Sequence, residues 1–113
     1  MVDQETTNGH LQELRRGTVV IACLVVLRTP DYGYALLETL NELGFQVDAN
    51  TLYPLLRRLE KQGLLTSDWN TDQARPRKFY RTSPEGEKLA ALLVADWTAL
   101  HASILGLNEG DHS

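Results

Sequence analysis

Cysteine is almost absent from the sequence, and long apolar runs are absent altogether. The one cysteine, Cys23, cannot form a disulfide within the chain and lies in an apolar segment, as is typical of cytoplasmic proteins. The longest wholly apolar run covers residues 19–27, about half the length that a membrane-spanning helix needs. Residues 1–10 are polar and lack the apolar segment of a signal peptide. We therefore expect a cytoplasmic protein without a membrane partner.

Residue patterns for catalysis and metal binding are also missing. The sequence has no Ser/His/Asp or Cys/His set with supporting context, no glycine loop for phosphates and no paired carboxylates on one predicted face. The histidines His10, His101 and His112 are too scattered for metal-ligand spacing. We expect neither an enzyme nor a metal or cofactor site. Cys23 is interpreted as a small buried hydrophobic residue, with a redox sensor as the alternative.

Acidic residues outnumber basic ones, but the charges are unevenly distributed along the chain. The chain has 15 acidic and 11 basic residues and a net charge of -4. Residues 57–81 hold seven basic and three acidic side chains, a net +4, whereas the remaining residues hold four basic and twelve acidic ones, a net -8. A polyanion would be attracted to one side of the molecule and repelled by the other. This pattern indicates a focused anion-binding surface.

The helical periodicity predicts a helix-turn-helix in one small domain. Residues 1–10 are predicted to be a flexible arm, and a first helix is predicted over residues 11–28, with apolar residues all the way round its second half. A second helix is predicted from Tyr34 to Leu43. Only a glycine and three further residues separate it from Asp48, which is a good N-cap for a third helix. A cap at Asn50 is the alternative.

The third helix has an apolar and a polar face. Four leucines between Leu52 and Leu59 form a core stripe, and polar and basic side chains lie opposite. Because a recognition helix places its first residues at base edges, Asn50 and Thr51 are predicted to contact DNA bases. The predicted contacts to the DNA backbone are Tyr34, Tyr53, Arg57, Arg58 and Lys61. The alternative is an ordinary solvated helix face.

A two-stranded hairpin, called the wing below, is predicted from residues 64–69 and 77–82. Its basic residues Arg75, Arg77 and Lys78 are predicted to contact DNA, and either Phe79 or Tyr80 belongs to the core. The last helix opens with a capping box from Thr82 to Glu85, or with a Ser83 cap and Pro84 at the first helical position. The domains are therefore residues 1–10 (flexible arm), 11–82 (DNA-binding domain), 83–107 (dimerisation helix) and 108–113 (flexible tail).

The last helix carries a seam of two heptads, with spacings of 4, 3, 4 and 3 residues. One small domain cannot bury this seam together with the all-round apolar first helix. We expect a homodimer whose interface comprises Val19, Val20, Cys23, Leu93, Trp97, Leu100, Ile104 and Leu107. The predicted fold is mainly α with a β wing, a winged helix-turn-helix with a long C-terminal dimerisation helix.

The chain carries the motifs LRRGT at residues 14–18, YGY at 32–34, TLYPLLRRLE at 51–60, GLL at 63–65 and RKFYRT at 77–82. Together these motifs resemble the PadR family of bacterial transcriptional regulators, in its short form. The wing tip TDQARP departs from the family in having no glycine, and Tyr32 stands where the family often has histidine.

The resemblance implies a homodimeric repressor that binds a pseudo-palindromic double-stranded DNA operator and is released by an effector. It also implies a pocket in which aromatic side chains hold a small planar effector at the dimer interface. The expected pocket residues are Trp97, Arg16 and Val20. For Trp97 the simpler interpretation is plain interface core. The alternative function is a winged-helix module for protein–protein contact.

Overall fold

The computed structural model describes residues 3–72 and 74–110, and these form four helices and one small antiparallel sheet. The elements in chain order are α1 (Gln4–Val26), β1 (Asp31–Tyr32), α2 (Gly33–Glu42), α3 (Ala49–Lys61), β2 (Leu65–Asn70), β3 (Arg77–Thr82) and α4 (Pro84–Asn108). The strands lie in the order β1-β3-β2, and β2 and β3 form the wing. The architecture is the predicted winged helix-turn-helix with a long last helix.

The first helix begins earlier than the sequence predicts. Residues 4–10, expected to be a flexible arm, are helical. Asp3 accepts a hydrogen bond from the Thr6 amide at 2.7 Å, and this contact lowers the pKa of the Asp3 carboxyl. A capped first turn starts a helix without an apolar stripe, so periodicity misses it. The remainder of the expected arm, residues 1–2, lies outside the described residues.

The C-terminal ends of helices α1 and α4 also differ from the predicted boundaries. Helix α1 ends at Val26, two residues before the predicted end. Helix α4 continues through Asn108, the first residue of the expected flexible tail. Residues 111–113, which include His112, lie outside the described part of the chain.

Strand β1 was not predicted, because the Thr29-Pro30-Asp31 sequence indicates only a break between two helices. Asp31 pairs with Tyr80, and Tyr32 pairs with Phe79. Two residues are too short for any alternation of apolar and polar side chains. The pairing joins the start of α2 to the wing.

The core lies between α1, α2, α3 and the sheet. Its fully buried side chains come from every one of these elements and include Leu24, Leu36, Leu40, Leu52, Leu56 and Leu65. Tyr80 is 5% exposed and belongs to this cluster, whereas Phe79 is only half-buried. Tyr80 is therefore the core residue of the Phe79–Tyr80 pair.

The start of α4 is tied to the turn after α3, and Thr82, the last residue of β3, is tied to α1. The Ser83 hydroxyl oxygen accepts a hydrogen bond from the Gly86 amide at 3.0 Å and donates to the Gly63 carbonyl at 2.6 Å. Ser83 is thus the cap, and Pro84 follows at the first helical position. The Thr82 hydroxyl donates instead to the Leu24 carbonyl at 2.7 Å.

Most of α4 is exposed, since only Gly86 and Ala90 are buried in it. By length and apolar composition α4 would suffice to cross a membrane, and 6% of its most apolar window is buried. A helix that pairs with another helix has the same properties. The absence of a membrane partner therefore stays a prediction.

Candidate nucleic-acid interface

The turn between α2 and α3 begins with a glycine in the left-handed conformation. Gly44 has a φ of 94° and follows the last helical residues of α2. Its amide donates to the Asn41 carbonyl at 3.1 Å, and the Phe45 amide donates to the Leu40 carbonyl at 3.0 Å. These two bonds form a Schellman motif, in which a residue other than glycine would be strained. The motif sharply ends α2.

Asn41 holds the other end of the same turn. Its Nδ2 donates to the carbonyls of Leu37 and Val47, each at 2.9 Å, and its Oδ1 accepts from the Val47 amide at 3.1 Å. The Asn41 side chain therefore supplies hydrogen-bond partners for both the amide and the carbonyl of Val47. Sequence reasoning missed Asn41, because an asparagine on an exposed helix face carries no distinctive signal.

Asp48 is the N-cap of helix α3, which is one of the two caps that the sequence predicts. The Asp48 carboxylate accepts a hydrogen bond from the Thr51 amide at 2.8 Å. Pro54 consequently lies inside the helix. Val47 and Leu52, on either side of the cap, are buried at 8% and 0% exposure. This apolar pair sets the angle at which the chain enters α3.

The predicted DNA contacts of α3 lie on its accessible side. Five of them are exposed: Asn50, Thr51, Arg57, Arg58 and Lys61. Tyr53 is half-buried, because its ring lies against Gly33 at the start of α2. A Cβ atom on Gly33 would stand 2.7 Å from Tyr53 Cε1, so any larger residue at position 33 would require the Tyr53 ring to move. The roles of these residues stay predictions.

Aromatic rings hold one face of the wing against α2. The Tyr32 ring stacks on the Tyr34 ring at a centroid distance of 5.6 Å and meets Phe79 edge-on at 6.2 Å. The Arg77 guanidinium lies 4.9 Å from the Tyr34 ring centroid, a cation–π distance. Asn70 of β2 donates to the Tyr32 hydroxyl. Arg77 and Tyr34, both predicted DNA contacts, are therefore brought together.

The other face of the wing contacts α3 through a carboxylate. Glu60 accepts from Lys78 Nζ at 3.1 Å and from the Ser67 hydroxyl. The Ser67 hydrogen bond, followed by the Lys78 contact, lowers the pKa of the Glu60 carboxyl, so Glu60 is ionised at neutral pH. Lys78 was predicted to contact DNA, but its ammonium is already paired. Arg75 is exposed, and the described residues provide no ion pair for it.

A cavity of about 840 Å³ lies between α1, the α2–α3 turn and α3. Arg16 and Val20, two of the three expected effector-pocket residues, line it. Trp97 does not line this cavity in the single chain. Trp97 is 46% exposed, and its ring stacks on the His101 ring at a centroid distance of 5.2 Å. The structure thus brings two of the three residues together and leaves the third on the surface of α4.

Two of the predicted dimer contacts need correction. Val19 and Cys23 are 6% and 0% exposed in the single chain, so its own core covers them and they offer no surface to a second copy. Burial raises the pKa of the Cys23 thiol to about 12, which disfavours the redox alternative because the thiolate is the reactive form. Val20 and Leu93 are half-buried. The four later seam residues of α4 are exposed: Trp97, Leu100, Ile104 and Leu107.

Sequence reasoning missed an exposed apolar face on α1. Leu11, Leu14 and Val25 are 39%, 71% and 36% exposed. With Thr18 and Ile21 between them, they repeat at spacings of 3, 4, 3 and 4 residues, which is a heptad pattern. The apolar residues before the core segment were the available signal. Among the described residues, α1 and α4 both present such a face to solvent.

Comparison with known proteins identifies related sequences. A model of the Transcriptional regulator PadR-like family matches residues 23–91. Transcriptional regulator Rv3488 of Mycobacterium tuberculosis is 41% identical over 69 residues. That match covers 61% of this chain and 62% of the relative, so the chain spans slightly less than two thirds of that protein's length.

Solved structures show the same fold. A PadR family transcriptional regulator from Eggerthella lenta is 46% identical, with a TM-score of 0.88 over 93% of this chain and 94% of that one. The protein smu.1704 from Streptococcus mutans is 31% identical, with a TM-score of 0.75 over 84% of this chain and 90% of that one. These similarities confirm the predicted fold class and the resemblance to PadR regulators.

Replacing Asn41 tests whether its side chain fixes the turn. Asn41→Ala leaves the buried Val47 amide without its partner, so we expect the free energy of unfolding to fall by about 1–3 kcal/mol. Urea denaturation measures the change. The control Glu42→Ala, on the exposed neighbouring residue, should change stability by less than about 0.5 kcal/mol. Equal effects of the two substitutions would contradict this role of Asn41.

Proposed function

Because the chain belongs to the PadR-like family of transcriptional regulators, we propose that it is a repressor that binds a pseudo-palindromic DNA operator as a homodimer in the cytoplasm. The relatives that resemble it are named transcriptional regulators. The proposed activity requires no cofactor. It requires a surface that reads DNA, a second copy of the chain and a means of release.

The observation that carries the proposal is the exposed first turn of α3. Asn50 and Thr51 lie next to the Asp48 cap, at the end of the helix where base contacts are made. Asparagine pairs bidentately with adenine, and threonine bonds a base or touches a thymine methyl group. Exposed cations follow on the same helix, at Arg57 and Arg58, where they fit phosphates.

The proposed homodimer is supported by the unburied apolar surface of α1 and α4. Ile104 is 61% exposed and Leu107 is 59% exposed, although both occupy the heptad seam. Soluble monomers rarely leave such a contiguous apolar face uncovered. A two-fold dimer presents two α3 helices to DNA, and this symmetry is matched by two inverted half-sites.

Substitutions of the predicted base contacts and of the predicted backbone contacts should have different effects on DNA binding. Asn50→Ala should reduce the free-energy difference between operator and random DNA by about 1–3 kcal/mol. Arg57→Gln should weaken binding to both similarly and reduce the slope of log affinity against log salt by about 0.9. Fluorescence anisotropy at several salt concentrations, after selection of an operator from random sequences, measures both quantities.

The opposite pattern would reverse these roles: altered sequence preference for Arg57→Gln and an altered salt slope for Asn50→Ala. Failure of the wild-type protein to bind any double-stranded DNA would favour the protein–protein contact module instead.

Charge on the α4 seam should break the homodimer. Ile104→Glu would place an unpaired carboxylate in the proposed interface from both copies, so we expect the dissociation constant to rise by about 100-fold or more. Sedimentation equilibrium measures this constant. Ala102→Glu, on the opposite side of α4, is the matched control and should leave the dimer intact. A stable wild-type monomer at micromolar concentration would contradict the proposal.

A planar effector should act through Trp97. In the proposed dimer, aromatic ligands that bind beside Trp97 should quench its fluorescence and weaken operator binding, because a ligand shifts an equilibrium only by binding one state better. The Trp97→Phe variant shows how much of the fluorescence change comes from Trp97, because Trp69 contributes a constant background. If no planar ligand changes the wild-type emission and Trp97→Ala abolishes the dimer, Trp97 is plain interface core.

A further inference from the structure

Glu60 is an acidic residue in a surface that is otherwise suited to an anion. It lies near the end of α3, between the exposed cations Arg58 and Lys61. A carboxylate here repels DNA phosphates and reduces the attraction that the neighbouring cations supply. Electrostatic attraction to DNA therefore does not account for Glu60, and its contacts within the chain must be considered.

Those contacts reach both strands of the wing. Glu60 Oε2 accepts from the Ser67 hydroxyl on β2, and Glu60 Oε1 accepts from Lys78 Nζ on β3 at 3.1 Å. Each carboxylate oxygen thus holds a different strand. The side chains of Lys78 and Glu60 are 31% and 32% exposed, so the pair is shielded more than an ordinary surface ion pair.

The ammonium of Lys78 has a second contact on the same side. It lies 5.4 Å from the ring centroid of Tyr80, and Tyr80 is 5% exposed in the core. This distance is within the range of a cation–π interaction. To reach a phosphate, Lys78 would have to give up both the carboxylate and the ring.

We propose that Glu60 is a positioning residue that sets the angle between the recognition helix α3 and the wing through Ser67 and Lys78. Lys78 is then a structural partner of Glu60 and not a contact to phosphate. The phosphate contacts of the wing are made by Arg75, which is exposed and has no ion pair among the described residues, and by Arg77. This inference rests on the proposed DNA binding and replaces the expectation for Lys78.

The sign of the effect of Glu60→Gln distinguishes positioning from charge. Removing a carboxylate that only repels DNA would strengthen binding. If Glu60 positions the wing, the same change weakens operator binding, by roughly tenfold for coupled contacts of this kind. Asp68→Asn is the matched control, since Asp68 is an exposed wing residue without an ion pair among the described residues. It should leave binding unchanged or strengthen it slightly.

The salt dependence of binding separates the two cations. Arg75→Gln should reduce the slope of log affinity against log salt by about 0.9, the value for one phosphate contact. Lys78→Gln should weaken operator binding as Glu60→Gln does and leave this slope unchanged. A reduction of about 0.9 for Lys78→Gln would overturn the proposal.

Exchanging the charges of Glu60 and Lys78 should restore operator binding. The double variant Glu60→Lys with Lys78→Glu keeps the net charge and can re-form the ion pair, and the Ser67 hydroxyl can then accept from a lysine. We expect operator affinity within about threefold of wild type, a difference of under 1 kcal/mol. Thermal unfolding of each variant shows that the fold is retained. A double variant as weak as either single variant would overturn the proposal.

The outcomes for the inference and for the proposed function are distinct. If the wild-type protein binds an operator and Glu60→Gln tightens that binding, the inference fails and the proposed function stands. If the wild-type protein binds no DNA of any sequence, both fail.

Discussion

Asn41 holds the backbone of Val47 through both its donor and its acceptor atoms, and the position of α3 depends on this contact. The Asp48 cap follows one residue later, so the place where α3 starts is fixed in space relative to α2. Helix α3 in turn carries Asn50 and Thr51 at one end and Glu60 at the other. Displacement of the turn would move the predicted base contacts and, through Glu60, the wing. The position of the proposed DNA-binding surface therefore depends on a few hydrogen bonds in a short turn.

The wing is held from both sides by its own basic residues. On one face Arg77 lies over the Tyr34 ring of α2, and on the other Lys78 pairs with Glu60 of α3. Adjacent residues of a strand point to opposite faces, so one dipeptide reaches both helices of the helix-turn-helix. Both charges fix the hairpin in place, whereas only Arg77, which has no ion pair among the described residues, also contributes its full charge to the positive surface. Counting the charges in the sequence reveals only the contribution to the positive surface.

The sequence predicts those parts of the fold that repeat along the chain and misses those that depend on distant residues. The periodicity of α2 and α3, the strands of the wing and the length of α4 were all readable, because apolar spacing reports which face is buried. The Glu60–Lys78 pair joins residues 18 positions apart, and strand β1 exists only because β3 lies beside it. The apolar run over residues 19–27 showed that α1 must be covered. It did not show that the chain itself covers Val19 and Cys23.

Helix α1 connects the proposed dimer surface to the DNA-facing surface. Its exposed residues Leu11 and Leu14 lie on the side available to a second copy, and its buried end accepts hydrogen bonds from Thr82 at the carbonyls of Leu24 and Leu27. Thr82 closes strand β3, next to the Ser83 cap that starts α4. A change in how two copies pack would therefore reach the wing through the same residues that orient α4. The difference between the affinities of a proposed effector for two packings of the copies would limit how far such a change can alter DNA binding.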